Sequence, residues 1–136
     1  MYPVDHIGIA VYSIDEALPL YRRTMGVEVD IREFVTSQGV EVAFLKLPNT
    51  MIELIAPTSP ESKLQKFLDK RGPGFHHICY RVDNLEAELS RLKGLGMKLL
   101  DETPRPGAHH TRIAFIHPES FGGVLTELCE YPDPPR

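Results

Sequence analysis

The chain carries one pattern twice. Asp5-His6-Ile7-Gly8-Ile9-Ala10-Val11 returns as His76-His77-Ile78-Cys79-Tyr80-Arg81-Val82, and Met51-Ile52-Glu53-Leu54 returns as Leu125-Thr126-Glu127-Leu128. His77 follows His6 by 71 positions and Glu127 follows Glu53 by 74, so one superposition with a three-residue insertion aligns both pairs. A duplication this close limits the fold to two copies of one supersecondary unit. Each copy opens on a histidine and closes on a glutamate. Imidazole and carboxylate together form a ligand set for a divalent first-row metal, and pseudo-twofold pairing would bring all four to one centre.

Local signals give each copy the order βαβββ, an α+β arrangement. In 4–12, Ile7, Ile9 and Val11 alternate with His6, Gly8 and Ala10, which places the histidine on a strand face with small neighbours. Ser13-Ile14-Asp15-Glu16 has the form of a capping box. The helix it starts carries Ala17, Leu18, Leu20, Tyr21 and Met25 as its apolar stripe and ends at Gly26, with Pro19 in its second turn. Extended runs follow at 27–34, 40–47 and 50–56, with turns at Gln38-Gly39 and Pro48-Asn49.

A connector spans 57–73 and holds a short amphipathic helix over 60–68 with Leu64, Phe67 and Leu68. The second copy then runs through a strand at 76–82 and a helix over 84–95 capped by Asp83, with Leu85, Leu89 and Leu92 inward. Strands at 97–100, 111–117 and 123–130 complete it, separated by the loop 104–110 and the turn 118–122. The modules are thus about 4–56 and 74–130 within a single domain, 1–136, and the proline-rich tail 132–136 is expected to fray.

At 136 residues with 42% hydrophobic and 25% charged side chains, the chain has enough material for a buried core. A formal charge of −4 and the lack of a basic block argue against a nucleic-acid partner. No apolar run approaches the roughly 20 residues of a membrane span, and the first residues do not resemble a secretory leader, so the reading is of a cytoplasmic protein. Cys79 and Cys129 lie too far apart for a CxxC site.

Burying an ionised glutamate without a partner costs several kcal/mol, roughly the worth of a whole core side chain. Glu53 and Glu127 nevertheless sit inside strongly apolar strands. A metal shared by His6, Glu53, His77 and Glu127 compensates both. His76 points to the opposite face from His77. His109, His110 and His117 read as loop or strand-end residues, the first two being candidates for touching a substrate. Cys79 and Cys129 lie two positions beyond His77 and Glu127 and share their faces, as small buried hydrophobes.

At these residues the sequence resembles the vicinal oxygen chelate (glyoxalase) superfamily and, within it, the methylmalonyl-CoA epimerase family. The match runs from the first histidine strand through Gly74-Phe75-His76-His77-Ile78-Cys79 and Arg105-Pro106-Gly107-Ala108-His109 to Gly122-Gly123-Val124-Leu125-Thr126-Glu127-Leu128. The resemblance implies an eight-stranded metal-binding cleft built from the two modules, with His6, Glu53, His77 and Glu127 as ligands. It implies cobalt foremost, with manganese, nickel, zinc or magnesium as other ions, and a homodimer acting on an acyl-CoA thioester. The activity implied is interconversion of the (R) and (S) epimers of methylmalonyl-CoA. Some of these epimerases carry a glutamine at the second ligand position and a glutamate, proposed as a base, three residues after the Gln-Gly turn. Here those positions are Glu53 and Val42, and Glu41 faces the other way by strand alternation.

Epimerisation removes the proton between a thioester and a carboxylate, through an enolate that a Lewis acid stabilises. Four ligands on an octahedral ion leave two positions, which match a bidentate dicarbonyl substrate. Glu127 and Glu53 are then the candidate proton carriers. Competing readings are a lactoylglutathione lyase, which shares the ligand set, a three-ligand iron dioxygenase, and a non-catalytic small-molecule-binding protein of the same fold.

Overall fold

The computed structural model describes residues 1–132, and the tail beyond them falls outside this description. The chain forms two compact units, His6–His76 and Met1–Asp5 together with the chain from His77 onward.

In the first unit, β1 (Val4–Ala10) leads into α1 (Ile14–Met25), followed by β2 (Val29–Val35), β3 (Val40–Lys46) and β4 (Met51–Pro57). β2 pairs antiparallel with β3 and β3 with β4, while β4 returns parallel to β1. α1 begins where the sequence places it: Ser13 accepts a hydrogen bond from the Glu16 N–H at 3.3 Å. It ends on Gly26 at φ 67°, a left-handed turn that glycine adopts without steric cost, with the Gly26 N–H bonded to the Arg22 carbonyl. Ile14 and Leu18 pack against Val11, Ala43, Leu45, Leu54 and Ala56. Leu20 and Met25, expected in the apolar stripe, are exposed instead. The helix covers only one face of its sheet, so its inward side is narrower than the sequence stripe.

The connecting helix α2 (Lys63–Arg71) belongs to this unit and starts three residues later than Pro60 suggests. Ser62 is its cap, accepting from the Gln65 N–H at 3.1 Å. Leu64 and Leu68 are buried and Phe67 is half-buried.

The second unit repeats the plan with β5 (Gly74–Arg81), α3 (Leu85–Gly94), β6 (Arg105–Pro106), β7 (Arg112–Ile116) and β8 (Thr126–Glu130). β5 and β8 are parallel, and β7 pairs antiparallel with β8 and β6. α3 buries Leu85, Leu89 and Leu92 against Ala114, Ile116 and Leu128.

Two expectations are corrected here. Asn84, not Asp83, caps α3, its side chain accepting from the Ala87 N–H at 3.0 Å. The run 97–100 is not a strand: it touches β7 through a single bridge, Leu99 to Ile116, and the sixth strand lies at Arg105–Pro106 inside the stretch read as a loop. Among the described residues, no helix is long and apolar enough to cross a membrane.

The two leucines of α1 provide a direct check. Leu18→Ala, at 3% exposure, should cost about 2–5 kcal/mol in a denaturant titration. Leu20→Ala, at 52% exposure, should stay within about 0.5 kcal/mol of the parent.

Candidate metal centre

In the first unit α1 covers the sheet face that carries Ile9 and Val11, so strand alternation sends His6, Gly8 and Ala10 to the other face. β4 runs parallel to β1 with Gly8 beside Glu53, and the absent side chain at Gly8 leaves room for the carboxylate. His6 and Glu53 are both buried, and His6 Nε2 lies 3.5 Å from Glu53 Oε1. On the far side of Glu53 its cross-strand partner is Phe44, whose ring stands at 85° to the His6 imidazole with centroids 5.3 Å apart.

The second unit reproduces the arrangement. Cys79 lies beside Glu127 across the β5–β8 pair, and Phe115 is the cross-strand partner of Glu127. His77 Nε2 is 3.1 Å from Glu127 Oε1, and His77 is only 1% exposed. The Phe115 ring stands at 80° to the His77 imidazole, with centroids 5.7 Å apart.

Each unit therefore presents one imidazole nitrogen and one carboxylate oxygen as a buried pair. Protein bonds to a divalent ion such as zinc are about 2.0–2.2 Å, so two donors on one ion sit roughly 2.8–3.6 Å apart between octahedral and tetrahedral angles. Both observed separations fall in that interval. The donor chemistry and the spacing within each pair fit a divalent ion, and the structure brings His6 to Glu53 and His77 to Glu127.

The phenylalanines were not singled out from the sequence, although the signal was there. Val42-Ala43-Phe44-Leu45 returns as Ile113-Ala114-Phe115-Ile116 at the same 71-residue shift as the histidines. The three-residue insertion therefore lies between Phe115 and Glu127, in the β7–β8 connection, where Pro118–Phe121 forms a short helical turn.

The remaining candidates take other places. Half-buried His76 packs edge-on against Phe67 at 4.8 Å. His117 caps the turn after β7, its Nδ1 accepting from the Glu119 N–H at 3.1 Å. His109 and His110 occupy left-handed backbone at φ 59° and 58°, and the His109 ring lies against Tyr131. Tyr131 in turn donates to Asp5 Oδ1 at 2.8 Å, and burial together with the Asp5 carboxylate holds its phenol above the usual tyrosine range. Glu41 pairs with Arg32 at 2.8 Å, and Arg32 also pairs with Asp15 at 2.7 Å. Val42 is buried on the face of Phe44. Cys79 and Cys129 are buried free thiols packed with Ile113 and Phe115, and burial pushes the Cys79 thiol well up, reinforced by Cys129 beside it.

Residues 5–115 match the model of the Glyoxalase/Bleomycin resistance protein/Dioxygenase superfamily. The ethylmalonyl-CoA/methylmalonyl-CoA epimerase of Cereibacter sphaeroides is 41% identical over 127 residues, covering 92% of this chain and 95% of the relative. The solved structure of methylmalonyl-CoA epimerase from Mycobacterium tuberculosis is 41% identical with a TM-score of 0.91, covering 96% of this chain and 89% of that one. A methylmalonyl-CoA epimerase in complex with methylmalonyl-CoA and NH4+ is similar at 36% identity and a TM-score of 0.93, over 97% of this chain and 96% of that one.

Because both thiols are buried, at 0% and 1% exposure, neither should be reached by a thiol reagent in the native protein, and both should react promptly after denaturation. A colorimetric count of thiols, with and without denaturant, checks this.

Proposed function

The chain belongs to the glyoxalase/bleomycin resistance protein/dioxygenase superfamily, and we propose that within it the chain is a metal-dependent epimerase interconverting (R)- and (S)-methylmalonyl-CoA. The observation that carries this reading is the paired His–Glu arrangement, present in both repeats of a chain similar over nearly its whole length to epimerases of that substrate. His6, Glu53, His77 and Glu127 are the proposed ligands of one divalent ion. Cobalt is the first candidate, followed by manganese, nickel, zinc and magnesium. The two units then act as one functional domain. Bound there, the ion supplies a Lewis acid for the negative charge that develops on the thioester oxygen as the α-proton leaves.

The chain's own residues do the rest. The α-proton is removed from one face and returned to the other, which calls for two proton carriers, and the repeat provides one carboxylate in each half. In both Glu53 and Glu127 the Oε1 atom faces the imidazole, and the second oxygen, Oε2, is the one assigned to hold the proton. Phe44 and Phe115 wall these carboxylates with apolar surface, which keeps bulk water from competing for the carbanion. Glu41 has no part in the exchange, since its carboxylate is engaged by Arg32, and Val42 provides no titratable group on the site's face. The resemblance to the epimerase family also supports a homodimer, which sedimentation measurements test.

Substrate incubated with the metal-loaded protein in heavy water should gain deuterium at the α-carbon, and protein stripped by a chelator should be inert until metal is restored. His77→Ala should lose tight metal binding and His76→Ala should keep it, as read by metal analysis after dialysis. Full turnover after verified metal removal would overturn the metal-dependent reading, and turnover of a methylglyoxal–glutathione adduct in place of the acyl-CoA would favour a lyase.

Glu127→Gln and Glu53→Gln should each lower kcat by about 10²–10⁴-fold, the usual worth of a general acid or base, whereas Glu41→Gln should change it by less than about threefold. Metal content measured beside the rate separates a lost proton carrier from a lost ligand.

A further inference from the structure

Phe115 is held from an unexpected direction. Its backbone carbonyl accepts from the N–H groups of both Leu100 and Asp101, at 2.9 and 3.2 Å. Its own N–H donates to the Asp101 carboxylate, Oδ2, at 2.8 Å. The other oxygen of that carboxylate, Oδ1, pairs with Arg105 Nε at 3.1 Å. The Arg105 guanidinium then lies over the Phe115 ring, 5.7 Å from its centroid, which is cation–π range. The same ring stands at 80° to His77. Asp101 therefore fixes the main chain of Phe115 and the cation that covers its ring, and the ring borders the imidazole.

We infer that Asp101 and Arg105 are positioning residues for His77, acting through Phe115. The side chain of His77 has two soft torsions, and an aromatic wall locked in one orientation restricts the tilt of the imidazole plane and hence the direction in which Nε2 points. Groups outside the coordination shell that hold a ligand's orientation tune metal affinity, and here Phe115 carries the restraint from Asp101 and Arg105 to the imidazole. This inference rests on the metal-ligand role proposed above for His77.

The test is a cobalt titration of metal-stripped protein by calorimetry, with the visible ligand-field spectrum of the loaded protein as a second readout. Arg105→Met, which keeps a long apolar stem over the ring, and Asp101→Asn, which keeps an acceptor for the Phe115 N–H but loses the ion pair, should each weaken cobalt binding by about tenfold and shift the ligand-field bands. Arg105→Lys, which retains a cation over the ring and a donor to Asp101, should stay within about threefold of the parent. Charge alone predicts the opposite sign for Arg105→Met, because removing a cation from the neighbourhood of a metal tightens its binding. A merely structural role is read from Ile116→Val, on the opposite face of β7, which should lower the thermal midpoint without moving cobalt affinity. Arg105→Met protein that binds cobalt as tightly as the parent, with an unchanged spectrum, would overturn the inference alone. A parent protein that binds no cobalt, manganese, nickel, zinc or magnesium would overturn the metal role and this inference with it.

Discussion

Burying a carboxylate sets the terms for everything else in this fold. Glu53 and Glu127 are nearly inaccessible to water, and each has an imidazole nitrogen within ion-pair distance. Without that partner either group would cost more than a typical core side chain contributes. The pairing dictates the topology around it, because the histidine strand must lie directly beside the glutamate strand. That neighbourhood is parallel in both units, β1 with β4 and β5 with β8. A parallel neighbour requires a crossover, and the helix and two strands between the members of each pair form it. The βαβββ order is thus the connectivity that brings the first and last strands of a module side by side.

Much of this was legible because the signals were periodic or repeated. The α1 cap and its glycine terminus were readable as local chemistry, and the three leucines of α3 as a helical stripe. The failures have physical causes. Met97-Lys98-Leu99-Leu100 has strand-like composition, yet only Leu99 makes a bridge, because the chain must turn there to deliver two backbone donors to the Phe115 carbonyl and the Asp101 carboxylate to its N–H. Arg105–Pro106 looks like a loop because proline lacks an amide donor, but at the outer edge of a sheet that loss is tolerated. Asp83 and Asn84 are both competent caps, and composition does not choose between neighbours.

At the candidate site the histidines and glutamates announced themselves through the 71- and 74-residue spacings. Phe44 and Phe115 carried an equally regular signal, but aromatic residues in apolar strands have an ordinary explanation as core. Only the ring geometry beside each imidazole distinguishes them from filler. The Asp101–Arg105 pair could not be read from the chain, since its meaning depends on where an irregular segment bends.

The residues flanking the two carboxylates differ between the copies: Glu53 is bordered by Gly8 and Glu127 by Cys79. Duplication supplies two equivalent groups at the outset, but it also frees each copy to change alone. A substitution at position 8 alters the space and polarity around one carboxylate and leaves its counterpart untouched, and the reverse holds at position 79. A fold of this kind can therefore drift toward unequal halves by single mutations that spare both histidines and both glutamates, so its evolutionary adjustability resides in the small residues beside the two carboxylates.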